Sequence, residues 1–276
     1  MKRLALGLFT VSLLFSWSCA RVPITKRRQF NLLPESTLIG MSVKEYQGFM
    51  VKSPPAPGND ANVVLVRKVG SKIQASINSY LAKHKNLKRV AGYKWEFNVL
   101  NDPKTINAWC MPGGKVMVYT GILPVTKDEA GLAVVMGHEI AHAIARHGNE
   151  RMSQQLSIQL GGMALSVAMS QRPEQTQQIF QQVYGVGTAL GALAYSRKHE
   201  TEADKLGLCF MAMAGYNPNE AVGFWERMAA ATGSGPPQFL STHPSNETRI
   251  KEIKAFIPTA MKYYTGGGAT TKAPGK

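Results

Sequence analysis

Two histidines and a glutamate interrupt an otherwise apolar run between Ala130 and Ile144, and this constrains the chain more than any other feature. The segment reads Gly137-His138-Glu139-Ile140-Ala141-His142, an HExxH pattern. Such a run predicts a buried helix. Thr126 and Glu129, just after Pro124, have capping-box spacing at its start. Residues four apart lie one above the other on a helix. His138 and His142 can thus grip one zinc ion while Glu139 reaches a water on it. Buried with no such partner, these groups would be costly. The alternative is two core histidines bonded to backbone, with Glu139 exposed.

A catalytic zinc takes three protein ligands plus water. A third histidine in an HExxHxxGxxH motif is absent, because Ala145 and Gly148 occupy the required positions. His147 is displaced by one residue and reads as a cation at the helix C-terminus, where the dipole favours it. Glutamates remain. Glu150 is too near His142 to fold back, and Glu174 follows Pro173 in a polar stretch. Glu202 points about 200° away from Glu200 around a helix. Glu200 has Asp204 one turn later on the same face, where the aspartate can accept the free N–H of a zinc-bound histidine. ExxxD alone is weak; after an HExxH it is strong.

The N-terminus stands apart. Lys2 and Arg3 precede the uncharged apolar run Leu4–Trp17, then Ser18-Cys19-Ala20. This pattern predicts a signal peptide over 1–18, of lipoprotein type with Cys19 lipidated, or an ordinary cleaved signal. The run is too short to span a bilayer comfortably. Cys110 and Cys209 can pair or stay as buried thiols. The net charge is +15, which favours anionic surfaces. Arg21, Lys26, Arg27 and Arg28 either hold an N-terminal arm against acidic headgroups beside the lipid or belong to a solvated arm. The bases are otherwise dispersed and carry no nucleic-acid-binding motif.

The expected fold class is α+β, predominantly helical, with a small sheet beside the HExxH helix. Residues 19–60, broken by Pro23, Pro34 and Pro54-Pro55-Ala56-Pro57, read as an extended arm. A zinc metalloprotease domain is expected over 61–258. It opens with a helix capped by Asn59 or Asp60, carrying Val63, Val66, Val69, Ile73, Ile77 and Leu81 at helical spacing. Trp95–Val99 and Val116–Tyr119 read as strands. Gly/Ala-rich helical segments occupy 156–168 and 183–194. Residues 259–276 are expected to be a disordered tail.

The order of these motifs resembles a known family. His138-Glu139-x-x-His142 and Glu200-x-x-x-Asp204, inside Ser196-Arg197-x-x-Glu200-x-x-Ala203-Asp204, are similar to the zinc metalloendopeptidases (gluzincins) that include HtpX, BepA, LoiP, the mitochondrial OMA protease and the CAAX prenyl proteases. Asn107-Ala108-Trp109, Pro112-Gly113-Gly114, Tyr119-Thr120-Gly121 and His243-Pro244 with Arg249 extend the likeness over roughly 60–258. The layout is most like LoiP-type envelope lipoprotein proteases. The resemblance implies one zinc per chain, held by His138, His142 and Glu200, with Asp204 behind a ligand. It implies Glu139 as general base and proton donor. His243 and Arg249 would stabilise the oxyanion, or His243 would cap the zinc in a resting state. It also implies unfolded or misassembled envelope proteins as substrates and a location in the bacterial periplasm at the outer membrane. The strand near Val116–Tyr119 is itself a candidate to bind such substrates as an added extended strand. Rival readings are a chaperone-like binding module with a little-used metal site and a structural zinc site, which closes with four protein ligands, often cysteines.

Overall fold

A computed structural model of the chain describes residues 19–159, 173–184, 195–231, 239–240, 243 and 247–266. The signal at 1–18 and most of both Gly/Ala-rich segments lie outside these residues. No described helix is long and apolar enough to cross a membrane.

The arm opens with a hairpin. β1 (Cys19–Arg21) pairs antiparallel with β2 (Arg28–Phe30). The arm is not extended beyond that point, because α1 runs from Glu35 to Lys52. Its buried positions are Leu38, Ser42 and Tyr46, so the inward stripe is narrow and carries a serine. The hairpin is no loose tether either: Val22 is fully buried in the main core. Of the four arm cations proposed for a membrane surface, Arg21, Lys26 and Arg28 are exposed while Arg27 turns inward onto Glu150 and Glu202.

α2 (Ala61–Lys83) starts where the sequence indicates. The Asp60 carboxylate accepts from the N–H groups of Asn62 and Val63. All six spaced apolar residues from Val63 to Leu81 are buried, and each contributes roughly 1.5–3 kcal/mol by leaving water. The sheet follows: β3 (Glu96–Leu100), β4 (Ala108–Met111) and β5 (Lys115–Tyr119). Its order is β3-β5-β4, with β3 parallel and β4 antiparallel to β5. β5 is therefore central, and its backbone cannot take an added strand. The edge strands are β3 and β4, and β4 packs on the metal-motif helix.

A short helix, α3 (Leu123–Thr126), leads into α4 (Glu129–Ala145). The cap of α4 is Asp128, not Thr126: its carboxylate accepts from Gly131 N at 2.9 Å. Thr126 instead bonds Leu123 O within α3, and Glu129 pairs with Lys68 and accepts from Tyr216. At the other end, three of the last carbonyls are claimed by side chains. Tyr93 donates to Ala143, Arg89 to Ile144 and Gln29 to Ala145. These bonds satisfy acceptors that a helix leaves open, and they fix α4 to the arm and to the loop before β3. Arg146 then leaves the helix in a left-handed conformation.

α5 (His147–Gln159), α6 (Pro173–Tyr184), α7 (Arg197–Met213), α8 (Glu220–Ala230) and α9 (Glu247–Ala260) complete the described elements. The last helix passes through Pro258, and the segment behind it is ordered as far as residue 266. Thr265 bonds Ala212 O and Met213 O, and Tyr263 lies edge-on to Tyr80. These anchors correct the expected disorder over 259–266; residues 267–276 lie outside the description. Cys110 and Cys209 are buried free thiols, not a disulfide.

Candidate metal centre

The centre lies where α4 meets α7. The two helices approach so closely that a Cβ on Gly207 would stand 2.9 Å from the backbone of Gly137 and His138. Only glycine permits that contact, and it sets Glu200 and Asp204 opposite the histidines. α7 is capped by Ser196, whose side chain accepts from His199 N.

Four side chains converge: His138, His142, Glu200 and His243, all buried, with donor atoms within 4.8 Å of one another. His138 Nε2 is 3.1 Å from His142 Nε2, 3.1 Å from His243 Nδ1 and 3.4 Å from Glu200 Oε2. His142 Nε2 is 3.3 Å from Glu200 Oε1, and His243 Nδ1 is 2.9 Å from it. Donors about 2.0–2.1 Å from a tetrahedral zinc sit roughly 3.3 Å apart. The spacing and chemistry of this set therefore fit zinc: three imidazole nitrogens and a carboxylate oxygen converge at about the separation that a tetrahedral ion sets.

Glu139 sits beside the cluster. Its Oε1 is buried without a hydrogen-bond partner, 3.5 Å from His243 Nε2. Burial pushes its carboxyl up to about 7, with His243 pulling down and Glu200 pushing up. A base poised there suits proton transfer near neutral pH. Burial would likewise raise Glu200 and Asp204, but their partners win. The three histidines hold Glu200 well below the usual carboxylate range, and Arg249 with His138 lowers Asp204.

Asp204 Oδ1 lies 2.9 Å from His138 Nδ1, the arrangement expected from ExxxD. Arg249 grips Asp204 through Nε and Nη2, both at 2.8 Å, and its Nη1 lies 3.2 Å from His243 O and from Glu200 Oε2. Its guanidinium carbon is 3.5 Å from the centre of the Trp225 ring. Arg249 thus belongs to the centre, where it holds Asp204 and Glu200. Cys19 starts β1.

The remaining acids fall away from the donor set. Glu174 is exposed. Glu150 and Glu202 are buried, yet face Arg27. His147 is no helix-end cation. It stands at the start of α5, fully buried, and burial pushes it down to about 4. Sequence reasoning missed two further neighbours. Tyr195 stacks on the His142 ring at 4.0 Å, and Phe239 lies 4.7 Å from the His243 ring. Tyr195 directly precedes the Ser-Arg motif, which was the one available signal.

The profile of peptidase family M48 matches residues 70–257, which contain every member of the cluster. The chain belongs to peptidase family M48. Its M48 region is a metalloendopeptidase domain of mostly helical, zincin-like build. The mitochondrial metalloendopeptidase OMA1 of Schizosaccharomyces pombe is 35% identical over 244 residues, covering 87% of this chain and 67% of the relative. The human metalloendopeptidase OMA1 is 30% identical over 249 residues, covering 87% and 46%. The beta-barrel assembly-enhancing protease of Escherichia coli is 29% identical over 184 residues, covering 65% and 37%. The chain thus spans between about a third and two thirds of these M48 relatives. The mitochondrial proteins are matched at higher identity and over more of this chain than the bacterial one. They overturn the expected location in a bacterial periplasm at the outer membrane, an expectation that rested on the lipoprotein-like N-terminus and on the likeness to LoiP-type proteases.

Proposed function

We propose that this protein is a zinc-dependent endopeptidase that hydrolyses peptide bonds of unfolded or misassembled proteins, with Glu139 as general base. The observation that carries the reading is the buried cluster of His138, His142, Glu200 and His243, with a Glu139 oxygen that takes no hydrogen bond beside it. His138, His142 and Glu200 would hold the zinc. Zinc, when bound, would acidify water and polarise the scissile carbonyl. Glu139 takes the proton from the attacking water and hands it to the leaving amine. Asp204 keeps the His138 ring in register by accepting its Nδ1–H, and Arg249 keeps Asp204 in place.

His243 is the displaceable member. With it, the donor set closes at four, and catalytic zinc sites keep one position open. The buried site is then a resting arrangement in which His243 yields its place to substrate. An extended chain would add along the outer edge of β4, whose residues lie against α4. Backbone pairing of this kind gives affinity with little sequence preference, which suits unfolded substrates. Removing metal with a chelator is expected to abolish cleavage of unfolded casein, and adding zinc back to restore it. Zinc-loaded protein that cuts no unfolded substrate would sink the reading.

A further inference from the structure

His147 lies outside the donor set, yet it touches it. Its Nδ1 is 3.0 Å from His142 Nδ1, and its Nε2 is 3.0 Å from Glu202 Oε2. Glu202 is held in turn from the N-terminal hairpin. Arg27 Nε donates to Oε2 at 2.7 Å and Thr25 Oγ1 donates to Oε1 at 2.5 Å. The far side of Arg27 is fastened to Glu150 at 2.7 and 2.8 Å.

One arrangement of protons satisfies the whole chain. His142 turns Nε2 into the cluster, so its ring proton sits on Nδ1 and is donated to His147 Nδ1. The His147 proton is then on Nε2 and is donated to Glu202. Each ring nitrogen has a single role, and both imidazoles are fixed in tautomer and orientation. We propose that Glu202 and His147, braced by Thr25 and Arg27 of the β1–β2 hairpin, form a positioning relay that orients His142 and strengthens its grip on the metal. His138 is steadied directly by Asp204 with Arg249; His142 is steadied through a second imidazole. The N-terminal hairpin, outside the M48 match at 70–257, is thereby a working part of the metal centre. This inference rests on the zinc reading above.

The test compares the zinc dissociation constant, measured by competition with a fluorescent chelator, for the wild type, His147→Leu, His147→Gln, Glu202→Gln and Arg27→Gln. Melting of each zinc-free protein is followed alongside. Glutamine can accept from His142 and donate to Glu202; leucine can do neither. His147→Leu is expected to weaken zinc binding about 10–100-fold, the usual cost of losing a group behind a ligand. His147→Gln should retain affinity within a few-fold of the wild type. Glu202→Gln and Arg27→Gln should weaken it several-fold, and they carry the test if His147→Leu does not fold. Unchanged affinity in these variants would overturn the relay, as would equal losses in His147→Leu and His147→Gln, which mark a packing role against the stacked His199 ring. A wild type that binds no zinc would overturn the functional reading itself, and the relay with it.

Discussion

At the scale of single residues, the centre is a set of buried charges that stabilise one another. Glu200 and Asp204 stay ionised in the interior because imidazoles and Arg249 face them. Removing one partner would leave a buried charge uncompensated. His243 is the exception, since three donors remain without it. His243→Ala is expected to keep its zinc and to cleave unfolded casein several-fold faster, because the fourth position opens. Slower cleavage at full zinc occupancy would instead make His243 a stabiliser of the oxyanion. Residue spacing made much of this legible. His138–His142 and Glu200–Asp204 are each four apart, and a helix turns that spacing into a shared face. The contacts of His147 and Arg27 with Glu202 span 55 and 175 positions. No local pattern encodes such pairs, so His147 read as a helix-end cation and Arg27 as a surface one.

At the scale of elements, the decisive contact is α4 against α7. Gly137 and Gly207 bring two backbones together, and the ligands from each helix reach one point as a result. Gly207→Ala is expected to cost about 1–3 kcal/mol through overpacking and to weaken zinc binding by moving Glu200 away from the histidines. Unchanged melting and affinity would show that the helices can part without consequence. α2 and α4 were readable because their apolar positions are continuous or regularly spaced. α1 was hidden because its buried face consists of Leu38, Ser42 and Tyr46 only, while Gly40 and Gly48 lower its helix propensity. β4 is recognisable only once β5 is known to pair on both sides.

At the scale of the whole molecule, the N-terminal hairpin, α5 and α7 are tied by one buried ionic cluster. Burial alone would raise Glu150, but hydrogen bonds from His199 and Arg27 hold it well below its usual 4.5. Its folded value is thus below its unfolded one, so its stabilisation is complete above about pH 4.5 and is lost as the pH falls below that. Glu150→Gln is expected to lower the urea midpoint near neutral pH and to flatten its fall towards about pH 3.5. Parallel curves for variant and wild type would remove Glu150 from the acid response. At this scale the sequence was misleading in places. Prolines and a basic start suggested an extended arm, yet distant acids recruit Arg27 into the interior. A Gly/Thr-rich ending suggested disorder, yet Tyr263 and Thr265 fasten its first part.

The central claim is that the cluster binds zinc and that Glu139 uses it to cut peptide bonds. Zinc content and casein cleavage, measured together on the wild type and Glu139→Gln, test it most directly. Both proteins are expected to hold about one zinc, as three ligands plus water require, and only the wild type should cut. Equal cleavage by both would contradict the role of Glu139, and absence of zinc from both would contradict the metal centre.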